Sequence, residues 1–131
     1  MSLKSVAQKV QVRAGQKLLL VNQPNGYAEL LSNQLPKNVE LLKGVSKSAD
    51  VVQLFTTSKN EVNNQLGKLK RLISPKGILW VTYPKGSSKI KIDINRDIIR
   101  GEAEKHGLEP VAIFSVDEDW SALRLKLVEK T

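Results

Sequence analysis

Lys85-Gly86-Ser87-Ser88-Lys89 is the densest group of chemistry-bearing side chains in the sequence. Two ammonium groups, two hydroxyls and a flexible glycine can wrap an anion with donors from several sides. The spacing is not that of a phosphate-binding loop, which needs Gly-x-x-x-x-Gly-Lys-Ser/Thr, so the segment also reads as a plain surface loop. His106 is the single histidine, and it stands just before Gly107 at the end of a helical pattern. An imidazole there interacts favourably with the helix's carbonyl end, which is a structural role. Asp117-Glu118-Asp119 places three carboxylates in a row. The alternating oxygen ligands of a calcium loop are missing, so this reads as a solvated turn and no metal site is expected. With no cysteine, disulfides, thiolate metal sites and cysteine nucleophiles are excluded, and Ser-His chemistry would have to run through His106 alone. No catalytic residue is assigned.

Charge supplies a second set of candidates. The 131-residue chain carries 21 Lys+Arg against 13 Asp+Glu, for a net +8. The excess lies in residues 51–92, with eight basic and one acidic side chain, whereas residues 93–131 are net acidic. Lys68, Lys70, Arg71, Lys76, Lys85 and Lys89 would make one electropositive face if the fold gathers them, and nucleic acid is then a candidate partner. Aromatic residues make up only 5% of the chain, and Trp80 and Tyr83 fall in a run that reads as a buried strand. Base-stacking platforms are therefore scarce, and a solvated surface that aids solubility is the alternative.

The elements that would position these residues follow from hydropathy patterning. The length supports one domain over residues 1–131, with residues 1–15 as a polar lead-in. Lys17 to Asn22 (KLLLVN) is a continuous aliphatic run, as in a strand buried on both faces of a parallel sheet. Gln23-Pro24-Asn25-Gly26 then predicts a tight turn, and Tyr27 to Leu31 a short helix. Val39 to Leu42 is a second strand and Val51 to Phe55 a third. Ser58 and Glu61 form a capping-box pattern before a stripe of Val62, Leu66, Leu69 and Ile73, so a helix covers the sheet there and ends at Ser74-Pro75-Lys76-Gly77. Ile78 to Tyr83 is the fourth strand. After a loop from Pro84 to Lys91, Asp93 or Asn95 caps a helix through Ile94, Ile98, Ile99 and Ala103. Leu108 to Val116 and Ser121 to Val128 are joined too tightly for anything but an antiparallel hairpin. The fold class is α/β: a mostly parallel Rossmann-like sheet with helices on both faces and a C-terminal antiparallel hairpin.

In such a sheet, ligands bind beyond the carboxyl ends of the strands. The candidate ligand-binding residues are therefore Asn22, Asn25 and Gly26 after the first strand, Thr56 after the third, and Tyr83, Lys85, Ser87 and Ser88 after the fourth. No run of roughly 20 apolar residues is present, so no membrane association is expected, and without a secretory pattern at the start a cytoplasmic location is. An exposed edge at Val39 to Leu42 could pair two copies as a homodimer, and a protein partner is equally open.

Three stretches carry a resemblance. Ser48-Ala49-Asp50-Val51-Val52 looks like the acidic lead into the fourth strand of class I S-adenosylmethionine-dependent methyltransferases, and LISPKGILWV at 72–81 looks like that fold's "L-x-P-G-G-x-L" passage from helix to strand. The order of elements, closing hairpin included, resembles the second half of that fold. From about Gly15 to Val128, through NQPNGYAELL, WVTYPKGSSK and VDEDWSALRL, the chain resembles a family of short, uncharacterised bacterial proteins with a reduced version of it. The resemblance implies a truncated methyltransferase-like domain and brings no activity with it.

Methyltransferases of that class seat the cofactor on a Gly-x-Gly loop after the first strand and bind its ribose with an acid ending the second. Here the loop is Asn22-Gln23-Pro24-Asn25-Gly26, with one glycine and a proline, and Leu42 is followed by Lys43 and Gly44. Asp50 opens its strand and so lies at the wrong end. S-adenosylmethionine is thus not favoured, and the cofactor is left open. The preferred expectation is a non-enzymatic methyltransferase-like module that binds a ligand or a protein. The alternatives are a divergent methyltransferase or nucleotide-binding enzyme, and a basic nucleic-acid-binding accessory protein.

Overall fold

The computed structural model describes residues 5–42, 48–85 and 94–128. A six-stranded sheet runs in the order β2-β1-β3-β4-β6-β5. Strands β1 (Lys17–Val21), β2 (Glu40–Leu42), β3 (Ala49–Phe55) and β4 (Ile73–Pro84) are mutually parallel, while β5 (Leu108–Ser115) and β6 (Trp120–Leu127) form the antiparallel hairpin. This is the mixed sheet that the aliphatic runs and the short final connection predict.

Both faces are covered. On one face α3 (Lys59–Leu69) and α4 (Arg96–Lys105) pack Val62, Leu66, Leu69, Ile99 and Ala103 against Leu19, Val52 and Leu79 of the strands. On the other, α1 (Val6–Val10) and α2 (Tyr27–Ser32) pack Val10, Tyr27 and Leu31 against Leu18, Val51, Phe55 and Trp80. Successive strand residues alternate between the two cores, which is why the central strands read as unbroken aliphatic runs. No helix among the described residues is long and apolar enough to cross a membrane.

The polar lead-in is a correction. Residues 6–10 form α1, closed by a capping box in which the Ser5 hydroxyl accepts the Gln8 N–H and the Gln8 side chain accepts the Ser5 N–H. Val10 and Val12 are buried, and the Val10 carbonyl accepts the indole N–H of Trp80 at 2.9 Å. Gln8 and Gln11, which help make this stretch look polar, lie on its outer side.

A second correction concerns the helix-to-strand passage. α3 ends at Leu69, and β4 takes in Ile73 and the Ser74-Pro75-Lys76-Gly77 segment that was expected to separate helix from strand. Ile73 is buried in the same core as the α3 stripe, so its hydrophobicity fits either element. The β3–β4 register breaks between the Ala49–Ile73 and Val51–Ile78 pairs, the kind of irregularity at which a proline is tolerated in a sheet.

The Ser58 cap forms, with the hydroxyl accepting the Glu61 N–H at 3.1 Å. Its reciprocal half differs from expectation: Thr56 Oγ1 takes the Ser58 N–H at 3.3 Å, and donates to the Glu61 carboxylate at 3.0 Å. Asn95 caps α4, accepting the Ile98 N–H at 2.9 Å, while Asp93 lies outside the described residues. His106 ends α4 before Gly107, whose φ of 71° is the left-handed conformation expected after a helix. Its ring lies 3.3 Å from where a side chain on Gly67 would begin and 3.2 Å from Asn63 Oδ1, so it joins α4 to α3. Asp50 has a structural task at the amino end of the sheet, where its carboxylate accepts the Lys17 N–H.

Candidate functional site

The parallel strands β1, β3 and β4 end together at Val21, Phe55 and Pro84. Because β6 runs the other way, its first residue, Trp120, pairs with Pro84 and is delivered to that same end. The turn before it is fixed by Asp117, whose carboxylate accepts the N–H groups of Asp119 and Trp120 at 2.8 and 2.9 Å. The triple acid is thus partly a turn-forming device, as short side-chain acceptors often are.

Three rings meet beneath this end. Phe55 packs edge to face against Tyr27, with centroids 4.7 Å apart, and against Trp120, at 5.3 Å. The Tyr27 hydroxyl donates to Gln53 Oε1 at 2.6 Å, and Gln53 Nε2 donates to Thr82 Oγ1 at 3.1 Å. This relay satisfies polar groups that are all inside the protein. Burial raises the Tyr27 pKa well above that of an ordinary phenol; the Gln53 bond opposes the rise, and the nearby Asp117 carboxylate adds to it.

Two clefts open around Trp120 and share it and Phe55 as a common wall. One, of about 280 Å³, runs between the Pro24–Tyr27 turn, Leu30 and Asp117. The other, of about 220 Å³, reaches Asn22, Thr56, Thr57 and Glu61. Each falls below the roughly 300 Å³ at which pockets for drug-sized molecules begin.

The turn after β1 is shaped by its own backbone. The Tyr27 N–H closes it on the Pro24 carbonyl at 3.1 Å, and Gly26, at φ 86°, holds the position where a type II turn requires a left-handed residue. Its glycine is explained by that conformation. Asn22 also takes positive φ, 59°, and carries a side chain where the methyltransferase loop needs bare backbone. With Pro24 in the turn and the Phe55 and Trp120 rings forming a wall between two small clefts, the residues present do not fit S-adenosylmethionine in the manner of that fold's enzymes.

Of the residues proposed for ligand binding, Asn22, Asn25, Gly26 and Thr56 line the two clefts. Tyr83 does not, being buried on the α3–α4 face, where desolvation raises its pKa, Arg96 lowers it and Asp97 raises it. Lys85 is drawn away to the hairpin, its ammonium donating to Ser115 Oγ and its N–H to the Asp119 carbonyl. Ser87, Ser88 and Lys89 lie outside the described residues.

The basic set is divided. Lys68 and Arg71 are exposed at the end of α3, Lys70 donates to the His106 carbonyl at 2.6 Å, and Lys85 lies a full strand away at the opposite end of β4. That strand places them on the order of 35 Å apart. Among the described residues, Lys68, Lys70 and Arg71 are thus separated from Lys85, and the side chain of Lys76 lies outside the described residues. Sequence reasoning missed Tyr27, Phe55, Glu61, Asp117 and Trp120 as cleft residues. Only the antiparallel sense of the last strand hints at Trp120, since that sense reverses which of its ends meets the parallel strands' carboxyl ends.

No protein-family model and no curated protein matches the chain. Solved structures do. A DhpI–SAH complex aligns over 95% of this chain and 84% of its own at 9% identity, with a TM-score of 0.66. A TehB-like SAM-dependent methyltransferase from Corynebacterium glutamicum aligns over 92% and 85%, at 12% identity and a TM-score of 0.59. The fibrillarin pre-rRNA processing protein of Methanococcus jannaschii aligns over 98% and 71%, at 13% identity and a TM-score of 0.57. At such identities the likeness is one of fold: this chain has a class I methyltransferase-like, Rossmann-like fold.

Proposed function

We propose that the chain is a non-enzymatic methyltransferase-fold module that uses its strand-end clefts to bind a small ligand or a partner's side chain, without S-adenosylmethionine. The observation that carries this reading is the position of Trp120 over Phe55, which splits the space beyond β1, β3 and β4 into two clefts of about 280 and 220 Å³. The proline-containing turn and the side chain of Asn22 at positive φ support it. A methyltransferase needs cofactor and acceptor side by side, and each cleft is small for that.

The test is a thermal-shift panel on the full chain with S-adenosylmethionine, S-adenosylhomocysteine and common nucleotides. A ligand that binds only the folded state stabilises it by about 2.7 kcal/mol at a hundredfold excess over its Kd, a shift of several degrees for a domain of this size. The expected result is an unchanged melting temperature throughout. A saturable shift with either adenosyl compound would restore the enzyme reading.

A further inference from the structure

The geometry points to an alkylated ammonium group as the ligand class of the Trp120 clefts, held beside the indole with Asp117 facing it in one cleft and Glu61 in the other. This deepens the binding-module reading and rests on it. The chain is strongly basic as a whole, yet among the described residues the two clefts are lined by two carboxylates and by no lysine, arginine or histidine. Asp117 stands on one side of Trp120 and Glu61 on the other. Three described bases are engaged elsewhere. Lys85 and Lys9 both donate to Ser115, to its hydroxyl and its carbonyl, and Lys59 is paired with Glu102 across the other face at 3.9 Å.

An anion gains nothing here. The first turn of α3, whose amide dipoles would attract one, already has the Ser58 hydroxyl on the Glu61 N–H and the Glu61 carboxylate within the turn. A bare inorganic cation is also poorly served, since aromatic and aliphatic groups form much of the wall. A cation sheathed in methyl groups meets both demands: its charge is attracted by the indole and by the carboxylate of the cleft it enters, and its carbon surface packs against Phe55 and Trp120, which both clefts share, and against Leu30 in the first. Phe55 and Tyr27 are nearly buried, whereas Trp120 is half-buried and is the ring of the three that a ligand can reach.

The experiment titrates the full chain with choline and, separately, with its uncharged isostere in which carbon replaces the ammonium nitrogen. Amide and indole NMR signals are followed. Choline is expected to shift the Trp120 indole and the Thr56 and Thr57 amides in a saturable way, and the isostere to bind at least about tenfold more weakly. Glu61→Gln keeps an acceptor for Thr56 while removing the charge, and is expected to weaken choline severalfold. Trp120→Leu is expected to abolish binding. Equal binding of the isostere, no saturable shift with choline, or undiminished binding by Trp120→Leu overturns the assignment. S-adenosylhomocysteine, whose sulfur is uncharged, is run in parallel. Saturable binding of it defeats the module reading whatever choline does, whereas failure of choline alone defeats only the ligand class.

Discussion

The Phe55 and Trp120 rings meet edge to face at 5.3 Å, and that contact ties the antiparallel hairpin to the carboxyl ends of the parallel strands. Phe55 is 2% exposed and closes β3, whereas Trp120 is half-buried and opens β6. Replacing Trp120 by Ala removes the wall between the clefts and one side of the Phe55 environment. Full truncation of a core aromatic costs about 3–5 kcal/mol, so a half-buried one with a paired ring is expected to cost about 2 kcal/mol. Urea unfolding should show this as a lower midpoint at unchanged slope. A variant as stable as the parent would mean that the contact contributes nothing to holding the hairpin.

Tyr27 gives the fold a stability limit at high pH. Burial raises its pKa in the folded state above the ordinary value of about 10 that it has when unfolded. Below that value both states are protonated and the contribution is fully present. Above it the unfolded chain loses the proton first, so stability declines as pH rises toward the folded pKa. Urea midpoints measured across this range should therefore fall from about pH 10 upward, and fall less in Tyr27→Phe. That variant should also lose about 1–3 kcal/mol at neutral pH, because the buried Gln53 Oε1 is left without its donor. Parallel pH curves for the two proteins would count against a buried phenol.

The sheet was legible because Leu18 to Val21 and Val51 to Phe55 are apolar at every position or nearly so, a pattern that burial on both faces demands. The hairpin was legible from its short connection. Helix α1 was missed because only Val6 and Val10 of its residues are large and apolar, although the Ser5–Gln8 cap was there to read. Ile73 fits the α3 stripe in sequence yet lies in β4, because one buried aliphatic residue suits a stripe or a strand equally well. The cleft was half legible. Asn22, Asn25, Gly26 and Thr56 follow from the rule about strand ends, but Asp117 and Trp120 arrive from the far end of the chain on a strand of opposite sense. No local pattern records that meeting.

Trp80 anchors α1 through one hydrogen bond. Its indole N–H is buried and donates to the Val10 carbonyl at 2.9 Å, and its ring packs edge to face on Phe114 at 4.8 Å. Trp80→Phe keeps most of the packing and removes the donor, stranding a carbonyl inside the protein. The expected cost is about 1–3 kcal/mol. The loss should be local as well as global: amides of residues 8–12 should exchange with solvent faster than in the parent, while those of β3 change only as overall stability does. Uniform acceleration across the chain would place the role of Trp80 in the sheet alone.

Among the described residues, the division of the basic candidates limits how many phosphates either end of β4 can neutralise. Lys68 and Arg71 sit at one end of β4 and Lys85 at the other, and Lys70 is held by the His106 carbonyl. A duplex lying across either end would therefore meet few of these charges at once. Each neutralised phosphate contributes about −0.9 to the slope of log K against log salt, so contact with three or fewer predicts a slope no steeper than about −3. The double variant Lys68→Gln, Arg71→Gln should lower weak low-salt binding without altering any sequence preference, since phosphate contacts carry none. Binding to a short duplex that falls much more steeply with salt would require a continuous basic surface, which the separation along β4 argues against.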